Sequence, residues 1–103
     1  MSSPDPDTRA SLMAPAGKVI VSPDVLSQSI EGQTVLFDLV QERYFGLDEV
    51  ASRFWAVLSE QPEVEVVIAK LLEEYETSEA ILRQDLQHFI TRLAEAGLVR
   101  IEL

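Results

Sequence analysis

At 103 residues, with 47% hydrophobic residues and no cysteine, the chain is long enough for one modest core. That composition excludes a wholly disordered polymer, a disulfide framework, a thiolate metal site and a cysteine nucleophile. The 18 acidic against 8 basic residues, a formal net charge of −10, argue against nucleic acid or an anionic membrane surface as partner and serve to keep a small domain soluble.

Residues 1–16 hold Pro4, Pro6 and Pro15 among Ser, Asp and Thr and read as a flexible tail, leaving 17–103 as the domain. Lys18–Val21 is a short extended piece stopped by Ser22-Pro23. Val25–Ile30 reads as a strand, Glu31-Gly32-Gln33 as a turn, and Thr34–Leu39 as a second strand rich in β-branched and aromatic residues. Val40–Arg43 is a polar break before a third apolar run, Tyr44–Leu47. These three strands form a meander whose last member lies at an edge.

Asp48 is placed to cap a helix over Glu49–Ser59, with Val50, Phe54, Val57 and Leu58 on one face and Trp55 beside it. Pro62 suits the first turn of a second helix running to Glu76, whose apolar face is Val64, Val67, Ile68, Leu71, Leu72 and Tyr75. Ser78 caps a third helix reaching Ala96, with Ile81, Leu82, Leu86, Phe89, Ile90 and Leu93 apolar. Gly97 is the expected left-handed terminator, Leu98 folds back on the last turn, and Val99–Leu103 forms an extended end. The predicted class is α+β: a three-stranded antiparallel sheet followed by three helices, the winged helix-turn-helix architecture with its sheet first.

Catalytic chemistry is hard to find. The single histidine, His88, has Asp85 one turn back but no nucleophile or further ligands, so it reads as a surface residue. The four glycines lack phosphate-binding spacing. No catalytic residue, metal or cofactor is expected. DNA binding, the rival that a winged fold raises, meets the wrong charges: Arg83 and Arg92 on the third helix stand against Glu79, Asp85 and Glu95. Tyr44–Leu47 reads either as core or as the wall of a peptide groove. It lacks the Lys or Pro that block edge pairing, and an extended peptide beside such an edge gains register from main-chain hydrogen bonds. On this reading Phe45→Pro deletes an edge amide. No apolar run approaches the roughly 18 residues of a membrane span, and the M-S-S-P-D-P-D opening is no secretory signal. A cytoplasmic protein is expected.

The segments G-Q-T-V-L-F-D-L (Gly32–Leu39), R-Y-F-G-L-D (Arg43–Asp48), R-F-W-A-V-L (Arg53–Leu58), V-V-I-A-K-L-L-E-E-Y (Val66–Tyr75) and the D-L…F-I…L-A-E-A-G-L-V ending (Asp85–Val99) together resemble the PqqD family of ribosomal-peptide pathways. The resemblance implies a non-catalytic recognition element that binds the leader of a precursor peptide. The leader would add as a strand beside the third strand and pack against the third helix. Carried over by position, the peptide contacts are Arg43, Tyr44, Phe45, Gly46 and Leu47 on the strand, with Leu82, Asp85, Leu86 and Phe89 on the helix. The stretch F-D-L-V-Q-E-R-Y-F-G-L-D-E-V is most similar to the separate proteins of lasso-peptide clusters. It implies a leader-cleaving cysteine protease as partner, with a cyclase acting afterwards. A monomer or weak dimer is expected. Members serving quinone-cofactor synthesis carry Pro-Glu in the hairpin and Leu-Asn before the first helix. Val40-Gln41-Glu42 and Leu47-Asp48 stand there instead, which leaves presentation to a radical enzyme as the alternative. A structural subunit of a larger enzyme is the third reading.

Overall fold

The computed structural model describes residues 17–102, so the expected tail over 1–16 and the terminal Leu103 lie outside the described residues. Strands β1 (Lys18–Val21), β2 (Val25–Ile30), β3 (Gln33–Asp38) and β4 (Arg43–Leu47) precede helices α1 (Glu49–Glu60), α2 (Val64–Glu74) and α3 (Glu79–Glu95), and β5 (Val99–Glu102) closes the chain. The strand order β2-β3-β4 is antiparallel throughout and leaves β4 at an edge. The expected meander and three helices are present.

One pairing was not foreseen. β1 and β5, read from sequence only as extended ends, form their own antiparallel two-stranded sheet from Lys18↔Glu102 to Val21↔Val99. This sheet also shortens α2. Val19 N donates to Pro62 O (2.8 Å), Val64 N donates to Gly17 O (3.1 Å), and Lys18 bridges Glu63. Pro62 and Glu63 are thereby held extended, and the helix starts at Val64 instead of at Pro62.

The β2–β3 turn is Glu31-Gly32, with φ of 53° and 83°. Two consecutive positive φ values are the type I′ turn, whose twist matches that of the flanking strands. Glutamate is a poor residue at the first position, because its Cβ crowds the carbonyl in the left-handed region. Glu31→Asn is expected to raise stability by about 0.5–1 kcal/mol, a gain of roughly 4 °C in Tm by thermal unfolding.

The helices bury their apolar faces around Leu36 of β3, Phe54, Trp55 and Leu58 of α1, Leu71 of α2 and Leu86 of α3. Asp48 caps α1 as expected, its Oδ1 accepting from Ala51 N (2.8 Å), but the buried face is rotated from the one read from spacing. Val50 is exposed and Trp55 and Ser52 are buried. On α3, Ile81 is likewise exposed. Arg83 binds Glu65 through both terminal nitrogens (2.7 and 2.6 Å) and Glu79 through Nε, tying α3 to α2. The Arg83 hydrogen bonds hold the Glu65 carboxyl below the usual carboxylate range. Arg53 ties α1 to α2 in the same way through Glu74.

α3 ends on a Schellman motif. Gly97 N donates to Ala94 O (3.0 Å) and Leu98 N to Leu93 O (2.9 Å), with Gly97 at φ 79°. Leu98 is thereby folded into the core.

Candidate functional groove

The site grows out of the backbone of β4. Leu39 N donates to Asp24 O (2.9 Å), which makes Asp24–Leu39 a hydrogen-bonded pair. Bonded and non-bonded pairs alternate along an antiparallel ladder. Asp38, Leu36 and Thr34 therefore turn their backbone groups away from β2 and toward β4. Their partners across the ladder are Arg43, Phe45 and Leu47, which turn inward to meet them. Tyr44 and Gly46 are left with N–H and C=O directed outward from the sheet. The edge amides thus belong to Tyr44 and Gly46. The expectation that Phe45 supplies one is corrected, because its amide faces Leu36 within the ladder.

Two polar groups hold this edge in place. Asp38 is buried, and its Oδ1 accepts from Val40 N (2.9 Å) and Gln41 N (3.2 Å), folding the hairpin loop back on itself. At the other end, Ser52 of α1 is buried between the strands. Its Oγ accepts from Thr34 N (2.8 Å) and donates to Leu47 O (3.2 Å), standing in for the last rung of the ladder. The loop tip is joined to α3 where Gln41 Nε2 donates to Ala96 O (3.5 Å).

Between β4 and the C-terminal half of α3 runs an open groove of about 750 Å³. Arg43 to Leu47 form one wall, Phe89, Arg92, Glu95 and Ala96 the other, and Leu93 and Leu98 lie beneath. Phe89 is half-buried, its ring edge-on to Phe54 at 5.9 Å. Phe45 is half-buried under the Arg43 guanidinium, 5.0 Å from its ring centroid. Tyr44 is 73% exposed on the outer face of the sheet, against Phe37 at 4.5 Å. A Cβ at Gly46 would meet nothing within 4 Å, so the strand itself does not demand glycine there.

Of the nine residues carried over as peptide contacts, the structure brings together Arg43, Tyr44, Phe45, Gly46, Leu47 and Phe89 along this groove. Asp85 is exposed on α3 but outside the lining. Leu82 and Leu86 are 3% and 1% exposed and belong to the core, because the N-terminal half of α3 packs on α2. The groove meets the next part of the helix: Arg92, Leu93 and Ala96 follow Phe89 at i+3, i+4 and i+7. That spacing was legible, but which half of α3 faces β4 was not. Among the described residues, no group of three or more His, Cys, Asp or Glu is placed to hold a metal, and no helix is long and apolar enough to cross a membrane.

Fold and groove define a small α+β domain in which a sheet edge lies open beside a helix, the geometry of a strand-accepting peptide binder. The family model described as Coenzyme PQQ synthesis protein D (PqqD) matches residues 33–99, and the chain belongs to the PqqD family. Among solved structures, it is similar to TbiB1 in complex with the TbiA(beta) leader peptide, at 33% identity and a TM-score of 0.75, over 79% of this chain and 94% of that one. A lasso peptide synthetase B1 complexed with its leader peptide shares the fold at 22% identity and a TM-score of 0.72, over 81% and 98% of the two chains. No curated protein matches at a significant level.

Proposed function

We propose that this protein binds the leader region of a ribosomally made precursor peptide as an added strand beside β4, and delivers it to the leader-cleaving cysteine protease of a lasso-peptide pathway, with the cyclase acting afterwards. The observation that carries the reading is the open edge, where Tyr44 and Gly46 aim unpaired backbone groups along a groove walled by Phe89. The 33% identity to TbiB1, whose structure contains a leader peptide, supports the leader-binding part of this reading.

Magnitudes decide what the groove must contribute. Strand pairing at two residues yields a few hydrogen bonds at roughly 0.5–1.5 kcal/mol each. Association costs at least about 4 kcal/mol in lost translational and rotational freedom. Backbone pairing therefore sets register, while apolar leader side chains packing near Phe45, Phe89 and Leu93 supply the surplus. The protein's role is to bind: holding the leader beside the protease makes the second encounter intramolecular, at about millimolar effective concentration for a short tether. The test is fluorescence polarisation of a labelled leader peptide from the precursor encoded beside this gene, titrated with the protein. Saturable binding by the leader and none by the core segment is the expected result. Equal binding by both segments, or none by the leader, overturns the proposal.

A further inference from the structure

The chain is strongly acidic, and three of its five described arginines are consumed in ion pairs. Among the described residues, Arg53 pairs with Glu74, Arg83 with Glu65 and Glu79, and Arg100 with Glu102. The two remaining described arginines, Arg43 and Arg92, form no ion pair with a described residue, and both line the groove beside β4. Arg43 approaches only Gln41 Oε1 (3.4 Å) and the Phe45 ring. Arg92 lies in the last turn of α3, where the helix dipole favours a cation. Those local reasons account for where the two cations sit. They do not account for neither cation pairing with any of the many described acidic residues. The acids of the lining leave them so: Asp48 is occupied in capping α1, and Glu95 is paired with neither.

We infer that the groove reads a carboxylate: the leader segment it takes carries an Asp or Glu that binds Arg43 and Arg92 as the strand docks. This rests on the groove being the leader site. The physical cause is desolvation. A peptide laid along β4 covers both guanidinium groups and strips their water. A leader that supplies a carboxylate replaces that hydration with charge-assisted hydrogen bonds. A neutral leader leaves two covered cations uncompensated, and a basic one adds repulsion, so the arginines discriminate by penalty as well as by attraction. Apolar leader residues would then determine how tightly a peptide binds, and the acid which peptides bind.

The experiment is a polarisation cycle using the labelled leader of the neighbouring precursor and versions in which each Asp or Glu is changed singly to Asn or Gln. The proteins are the wild-type chain, Arg43→Gln, Arg92→Gln and the control Arg100→Gln, each verified as folded by its thermal melt. One amide version is expected to bind the wild type about fivefold to tenfold more weakly. Arg92→Gln or Arg43→Gln should weaken the native leader by a similar factor, with no further loss when variant and amide peptide are combined. Raising salt should weaken the native pair and leave the combined pair nearly unchanged. Arg100→Gln should bind as the wild type does. The inference is overturned if the native leader binds while every amide version binds equally well, an outcome that leaves the leader site standing. A native leader that fails to bind the folded wild type overturns both.

Discussion

A labelled leader peptide is expected to bind Gly46→Pro about 10-fold to 100-fold more weakly than the wild-type chain, while Gly46→Ala binds within about twofold. The proline removes the outward N–H at Gly46 and leaves the facing peptide carbonyl buried without a donor, a loss of roughly 1–3 kcal/mol. The folded protein should tolerate it. Proline is accepted on an edge strand where the missing N–H faced solvent, and a Cβ at this position meets nothing within 4 Å. Alanine keeps the amide and fills the same space, so the pair separates the hydrogen bond from the side chain. Phe45→Pro gives the contrasting result. Its amide faces Leu36 inside the ladder, so the variant should lose thermal stability before any question of binding arises. If Gly46→Pro binds the leader as tightly as Gly46→Ala does, strand addition at β4 is wrong.

Ser52→Ala should destabilise the domain by about 2–4 kcal/mol, a fall in Tm of roughly 10–20 °C. The hydroxyl serves two backbone groups, Thr34 N–H and Leu47 C=O, and removing it strands both. The site is 7% exposed, so water does not replace the lost partner. Ser59→Ala is the control. That hydroxyl bonds the Trp55 carbonyl one turn back from an exposed position, where water can substitute, and its loss should cost under about 0.5 kcal/mol. Because Ser52 fastens the Leu47 end of β4 to α1, Ser52→Ala should also weaken leader binding at temperatures where the domain remains folded. A Tm within 2 °C of wild type would mean that Thr34 and Leu47 close the ladder directly when the serine is absent.

The chain's own pattern determined the meander, the three helices and the caps of the first and third. Alternating apolar residues, the Asp48 and Ser78 caps and the Gly97 stop are local, and local preference here agrees with the fold. The edge position of Tyr44–Leu47 followed as well, since short turns between successive strands leave the last one outermost. Other features needed the assembled molecule. β1 and β5 pair across nearly the whole length of the chain, and no local signal joins Lys18 to Glu102. Which amides of β4 face outward depends on ladder phase, which the Asp24–Leu39 bond decides, so one residue of offset separated Phe45 from the true edge donors. Periodicity named a stripe on α3 but not the half left uncovered. Packing on α2 consumes Leu82 and Leu86, and only beyond Phe89 does the helix emerge beside the strand. Ser52 is a small polar residue with no period of its own; tertiary structure alone made it a fastening of the groove, because it answers Thr34 N–H and Leu47 C=O, which only the folded sheet leaves without partners.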